Sequence, residues 1–130
     1  MPHIRLEYTD NINIPTNFDD LFKKLHRVLG EYGDIDINNC KSRAIKLDRY
    51  LFSDGQTNGS FVHLDVRIFC GRSKEVIRNI GEHLKSVLAE NFVKDKARDN
   101  VQITIEVQEI NKENYFKYLW SFKELSINND

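Results

Sequence analysis

Cysteine and proline are scarce in this chain: Cys40 and Cys70, Pro2 and Pro15 are all that 130 residues contain. Two cysteines cannot build a disulfide framework and neither stands in a Cys-x-x-Cys pair, so free buried thiols in a reducing, cytoplasmic compartment are expected, a single bridge being the alternative. The histidines His3, His26, His63 and His83 lack H-x-x-x-H and H-E-x-x-H spacing, so no metal centre is expected. Apolar runs are short and broken by charges, far below the ~20 residues that a membrane span requires, and MPHIRLEYTD lacks the basic-then-apolar layout of a secretory signal. Charge of one sign is missing as well. Nineteen Lys+Arg against twenty Asp+Glu leave a net charge of -1, which provides no basic field for nucleic acid or an anionic membrane. A single domain over residues 1–130 is expected, burying roughly two thirds of its unfolded surface, enough for one core but too little to wall off a deep private cleft as well.

What is present is a periodicity that changes along the chain and then repeats. From Pro2 to Tyr8, Ile4, Leu6 and Tyr8 alternate with His3, Arg5 and Glu7, the two-residue period of a half-buried strand. From Phe18 the apolar positions Leu21, Phe22, Leu25, Val28 and Leu29 recur at three and four, with Asn17 as N-cap and Gly30 or Gly33 as the stop, which predicts an amphipathic helix. Lys41 to Phe52 reads as a second strand, with Arg43, Ile45, Leu47 and Leu51 on one parity, followed by Asp-Gly and Asn-Gly turn signals up to Gly59.

The order then recurs. Val62, Leu64, Val66, Ile68 and Cys70 form one face of a strand over 61–70, Ser73 caps a helix with the stripe Val76, Ile80, Leu84, Val87, Leu88 and Phe92, and Val101 to Val107 alternates as a fourth strand. The predicted fold is α+β. Two β-α-β units, about 2–53 and 60–110, form a four-stranded sheet with both helices on one face. The other face is mixed in polarity and needs cover or solvent. Residues 111–130 form a tail in which Tyr115, Phe116, Tyr118, Trp120 and Phe122 crowd five aromatics into eight residues, and such a tail is expected to dock on a neighbouring subunit.

Pro2, directly after the initiator methionine, carries the chemistry. Methionine is removed when a small residue follows, and proline qualifies, so mature Pro2 presents a secondary amine with a lone pair when neutral. A base of this kind works best with a pKa near the operating pH, and nearby cations or partial burial push an amine in that direction. Cationic candidates lie at strand ends and turns: Arg72 in Gly71-Arg72-Ser73, and Lys41 and Arg43 at the start of the second strand. The last two share parity, so their side chains leave the same face roughly 6.6 Å apart. Convergence of these groups on Pro2 suits a dicarboxylate or tricarboxylate substrate. A Ser-His-Asp or Cys-His enzyme is disfavoured, because His63 and Asp65 share a face with no placed nucleophile and Cys70 reads as core.

Pro2-His3-Ile4, Asp10-Asn11-Ile12, Lys41-Ser42-Arg43, Asp54-Gly55-Gln56, Phe61-Val62-His63 and Gly71-Arg72-Ser73 together resemble the 5-carboxymethyl-2-hydroxymuconate delta-isomerases of the tautomerase superfamily, over residues 2 to about 110. The resemblance implies a tautomerase-like homotrimer with sheets packed inward, no metal and no organic cofactor. It also implies that Pro2 shifts a proton in a tricarboxylic intermediate of homoprotocatechuate (4-hydroxyphenylacetate) breakdown. Arg72 matches a family arginine that holds carboxylate and stabilises dienolate charge. The second family arginine falls on Lys41, which keeps the charge but loses the bidentate fork, and Arg43 is the residue expected to compensate. The alternatives are another tautomerase-superfamily reaction on a small enol or keto acid, such as a phenylpyruvate-like acid, and a non-catalytic binding module in which Pro2 only starts a strand.

Overall fold

A computed structural model of the chain describes residues 1–15 and 17–122. The strands are β1 (His3–Thr9), β2 (Lys41–Leu47), β3 (Ser60–Phe69) and β4 (Val101–Ile110), and the helices are α1 (Phe18–Gly33) and α2 (Lys74–Phe92). Short 3-10 turns at Ile37–Asn39 and Lys112–Asn114 lead into β2 and out of β4.

Local chemistry explains where the helices begin. Asn17 Oδ1 accepts from the backbone N–H of Asp19 at 2.9 Å and of Asp20 at 3.3 Å, satisfying donors that the first turn leaves free. The two aspartates also place negative charge at the positive end of the helix dipole. Ser73 Oγ does the same for α2 by accepting from Val76 N–H at 3.2 Å. α1 stops at Gly33, where Asp34 takes a left-handed conformation with φ 52 and donates its N–H to Leu29.

The sheet order is β2-β1-β3-β4. β1 pairs with β2 and β3 with β4 in parallel, as the crossover helices require, while β1 and β3 join the two β-α-β units antiparallel. Both helices cover one face. There Ile4, Leu6, Val62, Leu64 and Val66 are fully buried against Leu25 and Leu29 of α1 and Ile80, Leu84, Leu88 and Phe92 of α2. Among the described residues no helix is long and apolar enough to cross a membrane.

Two expectations need correction. β2 ends at Leu47 and does not reach Phe52, because its only partner runs out: Thr9 is the last residue of β1 and faces Leu47, and Asp10 N–H closes the ladder on the Leu47 carbonyl at 3.0 Å. Leu51, beyond that point, is 71% exposed. Cys70 is exposed, not core, since β3 ends one residue earlier at Phe69 and the chain turns away through Gly71 at φ 126. Both cysteines are free thiols.

The other face carries His3, Arg5 and Glu7 with the residues in register beside them. Lys41 pairs with His3, Arg43 with Arg5, and Arg67 with His3 from the other side. In the tail, Tyr115 is half-buried, whereas Phe116, Tyr118, Trp120 and Phe122 are 89%, 86%, 70% and 64% exposed. Residues 123–130 of that tail lie outside the described residues.

The centre of the core supplies a test of this packing. Leu64 is fully buried at mid-sheet, so Leu64→Ala is expected to cost about 2–5 kcal/mol in urea unfolding. A loss below about 1 kcal/mol would contradict the close packing of that layer.

Candidate active site

Sheet topology gathers distant residues at the amino end of β1. Because β2 runs parallel to β1, its start lies beside the start of β1, and Lys41 N–H donates to the Pro2 carbonyl at 3.1 Å. Because β3 runs antiparallel, its far end arrives at the same place, with Arg67 facing His3. The chain then reverses at Gly71, whose positive φ of 126 a side chain would strain, and delivers Arg72. The result is a cleft of about 160 Å³ at the end of the sheet, lined by Pro2, Asp34, Asp36, Asn39, Phe69 and Arg72 among others.

Pro2 is buried and shares the parity of Ile4, which faces the helices. The amine at this end, borne on Met1 in the full sequence, is held below the ordinary range. Partial burial is the main cause, followed by the positive charges of Lys41 and Lys117, with Cys40 pulling weakly the other way. Arg72 donates from Nε to the Gly33 carbonyl at 2.8 Å and from an Nη to the Phe69 carbonyl at 3.3 Å. The first bond satisfies a carbonyl at the carboxyl end of α1, the second one at the end of β3, and together they fix the guanidinium while leaving further N–H donors free. No ion pair holds Arg72 among the described residues.

Lys41 is exposed, and its Nζ donates to the Asn39 carbonyl at 3.0 Å. Arg43 lies elsewhere. It shares its sheet face with Lys41, as their parity requires, but that face is opposite the one carrying Pro2. There its guanidinium donates to His3 Nδ1 at 3.0 Å inside a wider cleft of about 560 Å³ shared with Arg5, Asp65, Arg67 and Tyr115. A single chain therefore brings Arg72 into the Pro2 cleft and Lys41 to its edge, and leaves Arg43 behind the sheet.

The residues that sequence reasoning passed over are His3, Tyr115 and the cleft-lining Asp34 and Asp36. Burial lowers the His3 pKa, and the charges of Arg43, the terminal amine, Lys41 and Arg67 lower it further, so the ring is neutral at pH 7. Arg43 can only donate, so His3 Nδ1 accepts and Nε2–H donates to Tyr115 Oη at 2.9 Å. Alternation in β1 already placed His3 on the open face, but its partner lies 112 residues away and left no local signal. Farther along, His63 sits between Asp65 and Glu106 at 3.6 and 3.7 Å with Thr104 Oγ1 at 2.6 Å.

A family model described as 5-carboxymethyl-2-hydroxymuconate isomerase matches residues 2–119. A 5-carboxymethyl-2-hydroxymuconate Delta-isomerase of Escherichia coli is 28% identical over 117 residues, covering 90% of this chain and 93% of that one. The crystal structure of a 5-carboxymethyl-2-hydroxymuconate isomerase from Deinococcus radiodurans R1 superposes with a TM-score of 0.79 at 34% identity, covering 90% of this chain and 88% of that one. A fused 4-OT protein described as a symmetric trimer shares the fold, with a TM-score of 0.68 at 12% identity over 87% of this chain and 89% of its own.

The two carbonyl bonds of Arg72 carry a measurable consequence. Arg72→Met removes both from a partly exposed site, and a stability loss of about 1 kcal/mol is expected in thermal unfolding. An unchanged melting temperature would show that these bonds do not anchor the guanidinium.

Proposed function

The chain belongs to the 5-carboxymethyl-2-hydroxymuconate isomerase family, and on that premise we propose that it converts 5-carboxymethyl-2-hydroxymuconate to the unsaturated oxo-tricarboxylate, with Pro2 as acid and base. The observation that carries the proposal is the shared cleft of Pro2 and Arg72 at the end of the sheet.

Removal of Met1 frees the Pro2 nitrogen as a secondary amine. Its neutral lone pair takes the proton of the 2-hydroxyl, the electron pair moves through the diene as the C2 carbonyl forms, and the prolinium returns the proton to the far carbon. No atom is gained or lost. A positioned base of this kind contributes about 10²–10⁴-fold. The free donors of Arg72 face the charge that builds on the dienolate and a substrate carboxylate, and their fixed orientation means little reorganisation accompanies the reaction. Lys41 offers a second positive charge in point form where the resemblance has the forked arginine, so it constrains carboxylate orientation less.

Arg43 enters this reading through assembly. It has no path to Pro2 of its own chain, so its proposed substrate contact is with the site of a neighbouring subunit in a homotrimer. The exposed Phe116, Tyr118, Trp120 and Phe122 support such an assembly, since apolar surface of this size is normally covered. A second reading, tautomerisation of a monocarboxylic enol, is favoured by Lys41 and by the small volume of the cleft, and comparison of the two substrates decides between them.

Blocking the amine tests the mechanism. A variant that keeps Met1 or carries an added Ala before Pro2 is expected to lose about 10²–10⁴-fold in kcat/KM, and full activity in a verified uncleaved chain would refute the role of Pro2. The pH dependence follows from the sign of the shift. The neutral amine is the active form, and the burial and the Lys41 and Lys117 charges that disfavour a protonated Met1 amine at this end are expected to act on a Pro2 amine in the same direction, so kcat/KM should rise through a pKa below that of an unstructured prolyl peptide. Lys41→Met removes one of those charges and is expected to move the rising limb to higher pH. A limb at or above the value of an unstructured prolyl peptide in the parent protein would contradict the tuning.

A further inference from the structure

Beyond β4 the chain returns to the site. Asn111 Oδ1 accepts from Glu113 N–H at 3.3 Å and closes the turn Lys112–Asn114, which sends the chain back toward the start of β1. Tyr115 is then pinned twice, by His3 Nε2–H donating to its hydroxyl at 2.9 Å and by edge-on packing against Phe69 with centroids 5.4 Å apart at 81°. Lys112 adds a third point of attachment, with its ammonium 5.4 Å from the centre of the same Phe69 ring. His3 follows Pro2 directly, and Phe69 is a wall of the Pro2 cleft. Lys117 stands two residues beyond this anchor, a backbone span of at most about 7 Å. Its side chain is exposed, and it forms no ion pair among the described residues.

Charge counting shows what this placement supplies. Asp34 and Asp36 line the cleft and offset Arg72 and Lys41 before any substrate carboxylate arrives. Even with a neighbouring subunit's Arg43 added, the cations exceed those two carboxylates by one charge only, so a trianionic substrate calls for a further cation. We propose that Lys117 is a substrate-binding residue of the Pro2 site, holding one carboxylate of the tricarboxylate and setting the preference for polyanionic over monocarboxylic enols. This rests on the reading of Pro2 as the base. The Met1 amine at this end of the chain feels the Lys117 charge alongside that of Lys41.

The test compares Lys117→Met, Lys117→Arg, Tyr115→Phe and a chain with Ala added before Pro2 in steady-state kinetics on the hydroxymuconate tricarboxylate and on the enol of phenylpyruvate. Lys117→Met is expected to raise KM for the tricarboxylate about tenfold, the scale of one charge-assisted hydrogen bond, with kcat within about threefold. The tricarboxylate preference should fall by the same factor. Lys117→Arg should restore KM, and Tyr115→Phe, which removes only the hydroxyl that ties the tail to His3, should raise it by less. Lys117→Met with the parent's KM and preference, beside a loss of activity when Ala is added before Pro2, would overturn the role of Lys117 and leave Pro2 standing. Full activity of the chain with Ala added before Pro2 would overturn the reading of Pro2 as the base and this inference together.

Discussion

The position of β1 inside the sheet is the constraint on which the site depends. Held between a parallel partner and an antiparallel one, its amino end meets the beginning of β2 and the end of β3 at once. Lys41 and Arg72 reach Pro2 for that reason and no other, since 39 and 70 residues of chain separate them from it. The ladder is enforced by burial. A one-residue slip of β1 would turn Ile4 and Leu6 out of the core and His3 and Arg5 into it, so the interactions that stabilise the fold also fix the register of the site.

Electrostatics at that end of the sheet are local and nearly balanced, as the net charge of -1 allows. Burial and neighbouring cations disfavour the protonated Met1 amine at this end, while Asp34 and Asp36 line the cleft with opposing charge. Arg72 is positioned by backbone carbonyls and not by a carboxylate, which leaves its charge available to a ligand. A small chain without a deep cavity of its own can in this way present a cationic site at a sheet end, with neighbouring subunits supplying further walls in the proposed trimer.

Features set by local chemistry were legible in the sequence. The caps at Asn17 and Ser73, the helical stripes and the alternation of β1 and β3 are each written within a few residues, and the resemblance reached the family through short motifs that include Pro2 and Arg72. What depended on a distant partner was not legible. The end of β2 is set by the length of β1, the exposure of Cys70 by the last residue of β3, and the position of Arg43 by the face of the sheet on which its register with Arg5 places it. Tyr115 and Lys117 belong to the same class. Their density of neighbouring aromatics marked the tail as something to be buried, but only His3 and Phe69 show where it is tied.

The central claim concerns one nitrogen, and it can be observed directly. Intact mass combined with a nitrogen-15 NMR titration of the Pro2 amine reports both whether Met1 is absent and where that amine gains its proton. A chain beginning at Pro2, with an amine titrating below that of an unstructured prolyl peptide, is the predicted result. A fully active protein that retains Met1, or a Pro2 amine that titrates at or above the value of an unstructured prolyl peptide, would contradict it.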